Sequence, residues 1–387
     1  MWVHSRIGHV VAALSRSTPA IQPDRTVAPT FITQLVAALR RDSPAFAHIS
    51  SAYELASQGR SGSAKLSRAN LIGKDLSGRD LTGANLTGTD LRRAHLTDAN
   101  LTGANLAYAN LAYANLTGAE LTDADLSHAN VRSAYLRRSH LKRANLTGAD
   151  LRRAFLERAH LTDANLIGAN LNDAIAVDVN LTRADMTGAD LASARLKSAN
   201  LTGATLAAAN LTHADLTCAN LIGANLTDAN LADAHLTDAD LAGADLTGAN
   251  LTGAYLTDAD LTGANLGYAI AVNANLRRAD MTGADLASVN LTGANLTAAN
   301  LTGANLTSAN LIAANLSSAN LAGANLADAY LPAANLARGK LSGVVWTTST
   351  RWPEHLAESI RDASDKVADG IFQIREPGER VPKLVLA

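Results

Sequence analysis

The chain has 387 residues and a formal charge of −2, with 4% aromatic and 18% charged residues. So few large rings exclude a conventional core of interlocking bulky side chains, and the near-neutral total excludes a nucleic-acid binder acting through its whole surface. The single Cys218 excludes a disulfide framework and any multi-cysteine zinc site, and favours a reducing compartment.

Residues 1–63 differ in composition from the rest of the chain. The longest early apolar run, Val10 to Leu14, is too short for a signal h-region and far short of a membrane span, so the chain is expected to be soluble and cytoplasmic. Thr30 to Arg41 carries Phe31, Leu35 and Leu39 at helical spacing. Ser43-Pro44 supplies an N-cap and a first-turn proline ahead of Phe46, Ile49, Tyr53 and Ala56. A small helical segment is expected, either capping the next region or forming a separate partner-binding module, with Gly59 to Ser63 as a flexible joint.

From Leu66 to Leu341 a large residue recurs at every fifth position through 56 consecutive pentapeptides, and 51 of these positions are Leu. The exceptions are Val131, Ala176, Met186, Ala271 and Met281. Ala stands two residues before nearly every centre, so the motif reads A-(N/D)-L-T-G. A step of five advances about 140° on an α-helix, which would spiral the Leu around the whole cylinder. On a flat strand an odd period would send alternate Leu to opposite faces. The chain must instead turn through a right angle once per pentapeptide, so that four units close a square coil. Leu and Ala then point inward, the polar residue between them outward, and Thr-Gly or Ser-Gly forms the corner. Coils stacked about 4.8 Å apart give a rod of about 14 coils.

Residues 64–343, with runs such as ADLTGANLGYAIA at 259–271, resemble the pentapeptide repeat family. The resemblance implies an all-β solenoid, the right-handed quadrilateral β-helix. It implies function less sharply: members include fluoroquinolone-resistance proteins that mimic DNA and bind gyrase, and others use a C-terminal segment to form homodimers.

Beyond the repeat, Trp346 and Trp352 introduce a final segment, 344–387. Pro353 opens an expected helix with Leu356, Ile360, Ala363 and Val367 on one stripe, ending at Gly370, and a strand is expected over Ile371 to Ile374. This segment either covers the strand edges of the last coil or joins two copies of the chain.

With four units per coil, residues 20 apart share a vertical column, so outward constellations can be read directly. Residues 64–160 carry 14 basic and 9 acidic groups, whereas 161–341 carry 7 and 16. At the basic end one column reads Tyr135, Phe155, Ile175, with Arg137, Arg138 and Arg158 on the same face. Basic groups interleaved with rings suit an acidic protein or a nucleic-acid strand. The stretch 198–276 holds eight Asp and no Lys or Arg, and Asp238, Asp240, Asp258 and Asp260 are its candidate contacts for a DNA-mimic role. No face there carries more than three of these charges, whereas duplex DNA would present about 11 over the same four coils. The column Glu120, His140, His160 and the column Asp240, Asp260, Asp280 project in parallel and do not converge as metal ligands must. No nucleophile-base pair, phosphate loop or dinucleotide motif is present, and a rod filled with Leu and Ala leaves no concave pocket. A non-catalytic protein without cofactors is expected. Either its rod presents charged faces to a macromolecular partner, DNA gyrase being the specific candidate, or it is a spacer whose terminal segments bind.

Overall fold

The computed structural model describes residues 66–376. The chain divides into two units, Met1–Ser61 and Gly62–Ala387, and all described residues belong to the second. The helices and joint expected before residue 64 lie outside the described residues.

Each pentapeptide makes the same backbone bonds. Leu71 N–H donates to the Asp90 carbonyl of the next coil at 2.8 Å, Gly73 N–H to that of Arg92 at 2.9 Å, and Lys74 N–H closes its own turn on Leu71 at 3.1 Å. Asp90 N–H donates back to Ala69 at 2.9 Å. Parallel bridges join residues 20 apart from Asn70↔Asp90 to Asn325↔Val345, and Tyr330↔Arg351 closes the series. The fold is thus an all-β solenoid, a right-handed quadrilateral β-helix, as the period requires.

The interior is a stack of Leu with Ala between. Every central residue from Leu86 to Leu336 is at most 1% exposed, including the five that are not Leu. Thr89 and Ser139 occupy Ala positions, and each buried hydroxyl donates to a backbone carbonyl, of Leu66 and Leu136, at 2.7 Å.

The outward Asn or Asp has a local duty that explains the motif. Its Oδ1 accepts the backbone N–H two residues on, as in Asn145 to Thr147 at 3.2 Å, and the Thr147 hydroxyl donates to the same oxygen at 2.7 Å. That Asx turn satisfies the one amide which the coil-to-coil ladder leaves out. At the corners all 56 residues from Arg68 to Gly343 have φ between 53° and 72°, and 36 of them are not glycine. The expectation that glycine supplies the corner therefore holds at a minority of positions. The ladder bond and the turn bond over-determine each corner, which offsets the left-handed conformation, about 1–2 kcal/mol for an L-residue. Gly118 shows where glycine is required for space: a Cβ there would lie 2.2 Å from Oδ1 of Asp98.

The final segment differs from its expected form. β1 (Val345–Thr347) leaves the last coil, α1 (Ala357–Asp362) is a helix of six residues, and β2 (Ser364–Ala368) and β3 (Ile371–Ile374) form an antiparallel hairpin around Gly370. The sheet order is β1-β3-β2. The expected helix continued to Val367, but Val367 lies on β2 and is exposed. Pairing of Ser364 to Ala368 with β3 overrides the helical spacing, because it seats Phe372 on Trp346, with ring centroids 4.6 Å apart. The segment bonds to the last coil through Gly343 N–H to Ile374 O at 2.8 Å and the Thr350 hydroxyl to Leu326 O at 2.8 Å. Among the described residues no helix is long and apolar enough to cross a membrane.

Candidate interaction face

One column departs from the Asx-turn rule more than any other. It runs Asp75, His95, Asn115, Tyr135, Phe155, Ile175, Arg195, Asp215, His235, Tyr255, Asn275, Asn295, Asn315, Asn335. At His95, Tyr135, Phe155, Ile175, Arg195, His235 and Tyr255 the side chain offers no oxygen to the amide two residues on. Elsewhere such departures are scattered, as at Thr205, Ile270 and Tyr330, or grouped at Glu120, His140 and His160.

The predicted residues of the basic end come together. The rings of Tyr135 and Phe155 stack 4.9 Å apart and 4° from parallel, and Ile175 continues the ladder above Phe155. Strand spacing imposes this contact on any two rings in successive coils. The Arg137 guanidinium lies over Phe155 at 5.1 Å and over Tyr135 at 6.0 Å. It also donates to Glu157 at 3.0 Å, and the pairing raises its pKa above the ordinary arginine value. Arg138 and Arg158 project from the adjoining corner, and both are exposed.

Ion pairs, most of them between neighbouring coils, reduce the charge that the sequence suggests. Arg143 pairs with Asp123 at 2.6 Å, Arg152 with Asp150 at 2.6 Å, Arg153 with Asp173 at 3.5 Å and Arg158 with Asp178 at 3.3 Å. Arg132, Arg138 and Lys142 make no ion pair among the described residues. Hydrogen bonds from Arg143 and Arg183 hold the Asp123 and Asp163 carboxyls below the usual range. The counter-charges Asp173 and Asp178 lie beyond residue 160 in sequence, yet like Asp123 they stand one coil from their arginines in space.

The acidic candidates separate into two kinds. Asp240 and Asp260 sit on a strand column, where their Oδ1 atoms accept the N–H of Ala242 at 3.1 Å and of Thr262 at 2.9 Å. Asp238 and Asp258 project from a corner of the ring-bearing face. Asp258 is paired with Arg278, whose hydrogen bond lowers its pKa, while Asp238 makes no ion pair among the described residues. A second ring pair, which sequence reasoning missed, lies on this face: His235 and Tyr255 stack 4.7 Å apart and 12° from parallel. The 20-residue arithmetic that located Tyr135 and Phe155 also places these two, five coils further on.

The imidazoles of His140 and His160 stack 5.0 Å apart, with Glu120 Oε1 3.7 Å from Nε2 of His140, a ladder and not a chelating arrangement. Cys218 is an exposed corner residue.

A family model described as pentapeptide repeats matches in eight copies, over residues 63–98, 99–138, 139–175, 164–203, 194–233, 229–267, 259–297 and 309–345. A search of curated proteins gives no match. Among solved structures, HetL, a pentapeptide repeat protein involved in heterocyst differentiation regulation from the cyanobacterium Nostoc sp. strain PCC 7120, is 33% identical. That match covers 67% of this chain and 90% of HetL, with a TM-score of 0.21. A pentapeptide repeat protein from the Arabidopsis thaliana thylakoid lumen is 31% identical over 27% of this chain and 75% of its own, with a TM-score of 0.25. QnrB1, a plasmid-mediated fluoroquinolone resistance protein, is 17% identical over 48% of this chain and 95% of its own, with a TM-score of 0.29.

Proposed function

Because the chain belongs to the pentapeptide repeat family, we propose that it is a non-catalytic interaction protein whose rod presents the ring-bearing face to a macromolecular partner. One observation carries this reading: seven residues of a single column forgo the local Asx turn, and six of them lie within the run from Tyr135 to Tyr255. A hydrogen bond of this kind contributes about 1 kcal/mol. Replacing it repeatedly on one side by exposed rings and cations is the pattern of a surface made for contact.

The pairing of most arginines favours a protein partner over a phosphate backbone, because Arg137, Arg152, Arg153 and Arg158 already have carboxylates beside them. In the topoisomerase version of this reading the partner is DNA gyrase, contacted by the ring-bearing face and not through close DNA mimicry. Asp240 and Asp260 are engaged in their own turns, and the corner carboxylates are few.

The test is capture from the native cell with the wild-type chain and with Arg137→Glu/Arg138→Glu/Arg158→Glu, alongside a gyrase supercoiling assay. Partner loss on charge reversal is expected. An unchanged pull-down would shift the contact to the terminal segments, as a spacer requires, and supercoiling unaffected at large molar excess would remove gyrase.

A further inference from the structure

The two halves of the ring-bearing face complement each other. Tyr135 and Phe155 are flanked at the corner before them by Arg132, Arg152 and Arg153, and at the corner after them by Arg137, Arg138 and Arg158. Five coils on, His235 and Tyr255 are flanked at the same two corners by Asp233, and by Asp238 and Asp258. All four rings and these charges share one side of the rod, and Tyr135 and Tyr255 are 39% and 43% exposed.

We propose that a second copy of this chain packs antiparallel on this face, the Tyr135–Phe155 pair of each copy meeting the His235–Tyr255 pair of the other. The proposal rests on reading the column as an interaction surface and names the partner. Arg195 lies two coils from both Phe155 and His235 and three coils from both Tyr135 and Tyr255. A two-fold axis crossing the rod at Arg195 therefore superposes the two ring pairs. Such an axis reverses the direction of the rod but keeps each corner on its own side. Arg152 and Arg153 then face Asp233 of the other copy, Arg158 faces Asp238, and Arg138 faces Asp258. Parallel packing would set Arg against Arg and Asp against Asp. At the axis Arg195 and Lys197 approach their own copies, and Asp215 and Asp178, one coil away, supply the compensating charge.

Arg138, Asp233 and Asp238 make no ion pair within the chain among the described residues, so they are available to the second copy. Seven coils at about 4.8 Å and five residues at about 3.3 Å give a face of about 550 Å². Two copies bury about 1,100 Å², at the lower end of specific interfaces. The association is accordingly weak and sensitive to salt.

Sedimentation velocity of the full chain tests this. The wild type is expected to dimerise at about 50 mM salt and to dissociate at about 1 M, where the Debye length falls to about 3 Å. Arg138→Glu/Arg158→Glu and Asp238→Arg/Asp258→Arg are each expected to weaken the dimer at least about ten-fold, since reversal opposes like charges. Mixed in equal amounts, the two variants restore a dimer, because each new Glu meets a new Arg and the untouched Asp and Arg still meet. A chain carrying all four reversals dimerises by itself, which separates lost contact from lost folding. A wild type that stays monomeric at low salt overturns the proposal. So does a dimer that survives both reversals, or a mixture no more associated than its parts. If charge reversal abolishes capture of a cellular partner while the wild type is monomeric, self-association alone fails and the interaction face stands.

Discussion

Two opposite faces of the same rod obey different rules over the same interior. The column from Asn85 to Asn325 has Asn or Asp at every coil except Thr205, and its turns close on themselves, as in Thr87 on Asn85 at 3.2 Å and Thr247 on Asp245 at 3.0 Å. The column from Asp75 to Asn335 breaks that pattern at seven coils, yet the central residue behind each break, six Leu and Ala176, is at most 1% exposed. The Leu and Ala stack and the coil-to-coil ladder therefore specify the solenoid, and the outward residue is a replaceable accessory to its turn. Where it is replaced repeatedly on one side, the reason lies outside the rod.

The largest effect tests the shared interior. Leu166→Ala, behind the regular face, and Leu156→Ala, behind Phe155, should each cost about 2–5 kcal/mol, because both leave a cavity in a packed stack. Equal losses in denaturant unfolding support a common core, and a much smaller loss behind Phe155 would break the comparison. Asn145→Ala on the regular face should cost about 1 kcal/mol, since it strands the Thr147 amide and hydroxyl. By contrast, Phe155→Asn exchanges the stack on Tyr135, about 0.5–1.5 kcal/mol, for a restored Asx turn of about 1 kcal/mol. Its stability in about 1 M salt should stay within about 0.5 kcal/mol of wild type, as those two terms nearly cancel.

The smallest effect is that of pH. Asp123 and Asp163 have carboxyl pKa values lowered by Arg143 and Arg183 in the folded chain. Their contribution is present above the unfolded carboxylate value, about 3.9, and is lost as pH falls through the lower folded value. Arg143→Gln should therefore lower stability slightly above about pH 4, since exposed pairs contribute little, and converge with the wild type as pH falls below that value. Thermal melts across pH 2 to 7 check this, and an acid response identical to wild type would show that the pair contributes nothing.

Period, inward positions and columns were all legible in the sequence because one repeated step permits one coil geometry. The sequence also located Tyr135, Phe155, Ile175 and the arginines around them. Three features were hidden for physical reasons. The Asx turn is a bond between a side chain and its own backbone, which spacing alone does not reveal. Ion pairs such as Arg158 with Asp178 join neighbouring coils, so a count along the chain places the two charges in different stretches. The hairpin of β2 and β3 forms because Phe372 finds Trp346, a contact outside the local pattern that suggested a helix through Val367.

The most direct measurement replaces the four rings by the residue the repeat prefers, as Tyr135→Asn/Phe155→Asn/His235→Asn/Tyr255→Asn, and monitors sedimentation at about 50 mM salt beside the wild type. A face made for contact predicts a variant that melts like the wild type in about 1 M salt yet sediments as a monomer where the wild type is a dimer. A dimer of undiminished affinity, or a variant that no longer folds, would contradict it.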